Sequence, residues 1–141
     1  MEKQFVTYEI AKQLKELGFD KECMGFYITK YTYSDKVFES KFFISEDVEQ
    51  GVILRQAELY CVAPLWQQAR DWFREKHNLH ITIEIGHDEK QVWYNPYIYK
   101  VENTYEYVPI ETFDDDETDG SYPAARELAV LKAIKLIKDK K

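Results

Sequence analysis

Residues 63–81, Ala63-Pro64-Leu65-Trp66-Gln67-Gln68-Ala69-Arg70-Asp71-Trp72-Phe73-Arg74-Glu75-Lys76-His77-Asn78-Leu79-His80-Ile81, decide the fold. They start a helix, bury an aromatic face, stop, and enter a strand. Pro64 suits the first turn of a helix, where its missing N–H would have had no partner. Leu65, Trp66, Ala69, Trp72 and Phe73 recur at helical spacing, and Asn78 closes the helix before the strand begins. The stretch argues for a packed α+β domain. It says little about chemistry, because each of these residues has a sufficient role in a core.

Upstream, Thr7 reads as the N-cap of a first helix with Ile10, Ala11, Leu14 and Leu17 on one face. Gly18 ends it in the left-handed position, and Phe19 folds back on the last turn. The period then changes to two over Met24, Phe26 and Ile28, and a β-rich run continues to Tyr33. Ser34-Asp35-Lys36 makes a hairpin loop into a second strand over 37–44, and 45–51 is polar and solvated. Residues 52–62 fit a helix, a connector or a strand.

Downstream, Ile81, Ile83 and Ile85 alternate with Thr82 and Glu84, the pattern of a half-buried strand. Residues 86–90 form a turn, and 91–101 return as a Tyr- and Trp-rich strand. Pro96 inside that run cannot donate to a ladder, so the strand is at a sheet edge or bulged there. A short extended piece follows over 104–110. Residues 111–120 are an acidic loop and the expected mobile segment. A last helix starts near Ser121-Tyr122-Pro123 and runs to about residue 138, with Lys135, Lys138, Lys140 and Lys141 complementing its dipole.

A chain of 141 residues is the size of one domain, and neither repeats nor a Ser/Gly linker divide it. Its 45% hydrophobic and 16% aromatic residues supply a core and argue against disorder. A net charge of −7 argues against a general nucleic-acid binder and against attachment to an anionic membrane. Two cysteines, Cys23 and Cys61, are too few for a disulfide framework. The N-terminus carries no signal-like apolar run, and no stretch approaches the ~20 apolar residues of a membrane span. A reduced cytoplasmic setting is expected.

The chemistry-bearing residues do not assemble into a motif. His77, His80 and His87 have no cysteine pair and read as surface histidines rather than zinc ligands. Setting Asp115 as the first position of a calcium loop puts Arg126 where a bidentate Glu is required. Cys61 lies among apolar neighbours, without the charge that would activate a thiol against His77 or His80. No Gly-x-Ser-x-Gly elbow, Gly-rich phosphate loop or His-Glu-x-x-His pair is present. No catalytic, cofactor-binding or metal-ligating residue is assigned, and no cofactor is expected.

The aromatics are more suggestive. Trp93, Tyr97 and Tyr99 share one face of their strand, and Tyr94 and Ile98 share the other. Two apolar faces need two covers, from helices and from a second layer or a partner. On the last helix, Ala129, Val130, Ala133, Leu136 and Ile137 make the core face, and Leu128 and Leu131 point to its charged side. Trp93, Tyr97, Tyr99, Leu128 and Leu131 are therefore the candidate partner-binding residues.

Several segments taken in order resemble a known family. They are Lys12-Gln13-Leu14-Lys15-Glu16-Leu17-Gly18-Phe19-Asp20, the 63–81 block, Trp93-Tyr94 and Ala133-Ile134-Lys135-Leu136-Ile137. The family comprises small uncharacterised proteins of Bacteroides-type genomes, prophages and other mobile elements. The resemblance spares only the acidic loop and 34–56, and it is most specific over 72–80. It implies a bacterial or phage cytoplasmic context, and no activity or site residue.

The expected architecture is a single α+β domain over 1–141. It has a mainly antiparallel sheet with three helices packed on it, in the order α-β-β-α-β-β-(β)-α. The leading functional expectation is a non-enzymatic protein that binds another protein or self-associates, a homo-oligomer included, without touching nucleic acid or membrane. The alternatives are a small-molecule-binding protein or enzyme with an aromatic pocket, and an acidic mimic of DNA using the 111–119 carboxylates.

Overall fold

The computed structural model describes residues 2–33, 36–44, 57–103, 106–111 and 120–140. In order they form a 3-10 turn (Glu2–Gln4), α1 (Tyr8–Glu16), β1 (Gly25–Tyr33), β2 (Lys36–Ile44) and β3 (Ala57–Ala63). Then come α2 (Trp66–His77), β4 (His80–His87), β5 (Val92–Asn103), β6 (Glu106–Glu111) and α3 (Tyr122–Asp139). Every strand pair is antiparallel. The α+β class and the element order read from the sequence hold. The ambiguous 52–62 segment is resolved over Ala57–Ala63 as a third strand.

Where one sheet is expected, the strands form two three-stranded sheets, β2-β1-β3 and β4-β5-β6. The chain divides into two compact units, Met1–Gln68 and Ala69–Lys141, and the division falls inside α2. The expectations for 34–35, for 45–56 and for most of the acidic loop lie outside the described residues. Of that loop only Glu111, which ends β6, and Gly120 are described.

In the first unit, Thr7 caps α1 by accepting a hydrogen bond from the Ile10 N–H at 3.4 Å. Ile10, Ala11 and Leu14 are buried. Gly18 takes φ +93°. The Gly18 and Phe19 N–H groups then reach back to the Lys15 and Leu14 carbonyls at 3.1 and 2.9 Å, a left-handed helix stop with its apolar residue, Phe19, folded inside.

The N-terminal segment is tied down at three points. The Tyr27 hydroxyl donates to the Val6 carbonyl (2.8 Å), the Val6 N–H to that of Pro64 (3.0 Å) and the Trp66 indole N–H to that of Lys3 (3.1 Å).

Those ties displace Pro64 from the helical role expected of it. Phe5 and Leu65 form an antiparallel bridge, so the chain is still extended at Leu65 and α2 starts at Trp66. Gln68 supplies the cap instead, its Oε1 accepting from the Leu65 N–H at 2.9 Å. This is the returning half of a capping box, with Gln at the third helical position.

In the second unit, Asn78 closes α2 as expected, at φ +53°, and the Leu79 N–H reaches the Phe73 carbonyl at 3.1 Å. Phe73 and Leu79 are fully buried. β4 and β5 pair without a register shift from His80↔Tyr99 to His87↔Val92. His87 therefore ends the strand rather than lying in the turn. Asp88 builds the turn, its Oδ1 accepting from the Lys90 and Gln91 N–H groups at 2.7 and 2.9 Å.

Pro96 sits in the central strand of this sheet, opposite Ile83. The Asp88 N–H donates to the Gln91 carbonyl, so even-numbered β4 positions bond to β5, and Pro96 is at a non-bonded pair. Its missing N–H points to the β6 side, where Ile98↔Glu111 is the last pair among the described residues. Among the described residues no strand faces Pro96 on that side, and the β5–β6 ladder is irregular between Ile98 and Tyr99.

Ser121 caps α3, its Oγ accepting from the Ala124 N–H at 3.3 Å. It buries Ala125, Ala129, Val130, Ala133, Ile134 and Ile137. The alanines let its backbone approach the sheet, and the buried stripe takes in Ile134 while Leu136 is only half-buried. The helix lies on the sheet face of Ile81, Pro96 and Ile98, all buried, with Tyr122 edge-on to Tyr94 at 5.4 Å.

Candidate functional site

The candidate site is the other face of the β4–β5 hairpin. Period-two alternation puts Trp93, Asn95, Tyr97 and Tyr99 on that face of β5, away from α3. The register sets them opposite Gly86, Glu84, Thr82 and His80. Trp93 is accommodated because its partner is glycine: a Cβ on Gly86 would lie 2.5 Å from indole Cε2. Tyr97 and Tyr99 stack with centroids 6.0 Å apart and planes inclined by 27°. Asn78 anchors the far end, donating from Nδ2 to the Val101 carbonyl at 2.9 Å, with its Oδ1 3.1 Å from His80 Nε2.

Trp93, Asn95, Tyr97, Tyr99 and His80 are half-buried, and Thr82 and Glu84 are exposed. The side chains of Glu84, Asn95 and Thr82 and the Tyr97 hydroxyl make no hydrogen bond or ion pair among the described residues. Along this face aromatic rings alternate with polar groups that are unengaged among the described residues. It does not pair an acid with a base: His80 and Glu84 are four residues apart on one strand, about 13 Å. Among the described residues no group of three or more His, Cys, Asp or Glu is placed to hold a metal ion.

The sequence-derived residues fall into two groups. Trp93, Tyr97 and Tyr99 come together. Leu128 and Leu131 do not join them, because α3 lies on the opposite face; Leu128 is half-buried and Leu131 is 37% exposed. Sequence reading missed Gly86, Glu84, Asn95 and Thr82 as parts of the same surface. Their signal is the length of the turn, which sets the register.

The thiols are placed for inertness. Burial pushes Cys23 up from 9.0 to about 11. Cys61 is raised by burial against a smaller opposing pull from Lys15 and Lys12. Cys23 borders a cavity of about 290 Å³ lined also by Glu22, Met24, Leu65 and Gln68. No tyrosine or tryptophan is among its walls, and Gln68 is already engaged with Leu65 and with the Glu22 carbonyl. In the second unit Arg126 is lowered mainly by burial and also by Arg70, against the pull of Tyr122 and Glu127, and stands 5.5 Å from the Tyr122 ring centre.

No protein-family model, curated protein or solved structure matches this chain.

Proposed function

We propose that this protein works by binding another protein through the β4–β5 face, with Trp93, Tyr97 and Tyr99 as the contact residues. The observation that carries the reading is the row of half-buried rings interleaved with Glu84, Asn95 and Thr82 side chains that are unengaged among the described residues. Rigid aromatics supply contact area at low entropic cost, and unengaged polar groups between them supply specificity. With a net charge of −7, a basic partner surface would be steered towards the chain. The proposed setting is the cytoplasm of a bacterium carrying phage or mobile-element genes, on the strength of the sequence resemblance.

A photo-cross-linking amino acid at Tyr97 tests this in nuclease-treated lysate of a Bacteroides-type host. The expected result is one stoichiometric protein adduct, lost when Tyr99 is also changed to alanine and absent when the probe stands at the exposed Lys135 of α3. No adduct from Tyr97, or the same adduct from both positions, overturns the reading.

A further inference from the structure

The edge of β4 makes a second surface, independent of the aromatic face. β4 pairs with β5 on one side and with no strand on the other among the described residues. Even-numbered positions of β4 bond to β5, so Ile81, Ile83, Ile85 and His87 turn their N–H and C=O groups outward. Arg70 marks that side: its Nη2 donates to the Ile81 carbonyl at 2.8 Å. The guanidinium closes the edge at Ile81 and leaves it open from Ile83 onward. Ile83, Ile85 and His87 make no outward hydrogen bond among the described residues.

Exposed edges are normally blunted by proline, lysine or a bulge. This one has neither residue from 80 to 87 and no register shift. Beside it Ile85 is 66% and Val92 57% exposed, on the α3 side of the sheet.

We infer that a second copy of this chain adds to this edge, antiparallel over residues 83–87, with Ile85 opposite Ile85 of the other copy. Main-chain groups of an open edge are completed by another strand, and a two-fold axis demands a self-complementary one. In this register Ile85 meets Ile85, Ile83 meets His87, and on the other face Glu84 meets Gly86, so no carboxylates oppose one another. A register centred on Ile83 would drive the incoming strand into Arg70 at Ile81. Arg70 thus excludes registers that extend to Ile81. The contact is shorter than a standard interface, so it is a concentration-dependent equilibrium.

Sedimentation equilibrium of the full chain from micromolar to millimolar concentration, with amide NMR spectra over the same range, tests the inference. The weight-average mass is expected to climb from 16.9 kDa towards twice that value, with concentration-dependent shifts centred on Ile83, Ile85 and His87. Ile85→Pro, which removes an outward N–H and no β4–β5 bond, and Ile85→Lys both stay monomeric. Tyr97→Ala still dimerises, which separates this edge from the partner-binding face. A constant 16.9 kDa, association surviving Ile85→Lys, or shifts centred on Tyr97 and Tyr99 overturns the inference. Should Ile85→Pro unfold, Ile85→Lys decides alone.

Discussion

Replacing Gly86 by alanine tests whether the Trp93 indole lies against β4. A Cβ at position 86 would meet indole Cε2 at 2.5 Å and Cδ1 at 3.0 Å, and its three nearest neighbours are all indole atoms. Ordinary contact begins near 3.4 Å, so the ring must withdraw by about 1 Å. A forced shift of that kind in a packed contact costs about 1–3 kcal/mol. The new methyl also restricts the unfolded chain, which offsets about 0.5–1 kcal/mol. The net loss is about 1 kcal/mol. In a Trp93→Ala background only the favourable part remains, so the same substitution stabilises by about 0.5–1 kcal/mol. The sign reverses. Urea unfolding by far-UV circular dichroism on the four proteins of this double-mutant cycle reads both values. Equal effects in the two backgrounds, within about 0.5 kcal/mol, would refute the placement of the indole.

Three further outcomes follow from single side chains. Phe73→Ala, at a fully buried position, lowers unfolding free energy by about 3–5 kcal/mol in urea titrations. Asn78→Ala loses a tolerated left-handed residue and the bond to the Val101 carbonyl, about 2 kcal/mol in all, and Asn78→Gly recovers about half in the same assay. Burial raises Cys23 from 9.0 to about 11. The unfolded chain therefore binds fewer protons above pH 9.0. This contribution to stability is full below that pH and declines as pH rises towards about 11. Iodoacetamide labelling of Cys23 is correspondingly slow at neutral pH and accelerates through that alkaline range, and rapid labelling at neutral pH contradicts the burial.

The features legible in the sequence are those set by local chemistry. Thr7, Ser121, Gly18 and Asn78 mark helix ends because their caps involve only residues within a turn or so. The shared face of Trp93, Tyr97 and Tyr99 follows from the period of a strand. What escaped depends on residues distant in the chain. Pro64 lies outside the helix because Phe5, some sixty positions earlier, holds Leu65 extended. Residues 57–63 become a strand because β1 offers them an edge. Pro96 is tolerated on the β4 side because the register puts it at a non-bonded pair, which composition does not reveal. The aromatic row was visible as a row, but its polar partners needed the turn at Asp88 to bring them opposite.

The proposed partner-binding surface is the β4–β5 face and not the Leu-bearing side of α3. Titration calorimetry of the partner captured through Tyr97 tests it with three variants: Tyr97→Ala, Tyr99→Ala and Leu131→Asp. Each tyrosine variant is expected to weaken binding by at least about 2 kcal/mol, roughly thirtyfold, with Leu131→Asp unchanged. Unchanged affinity in both tyrosine variants, with binding lost in Leu131→Asp, would contradict it.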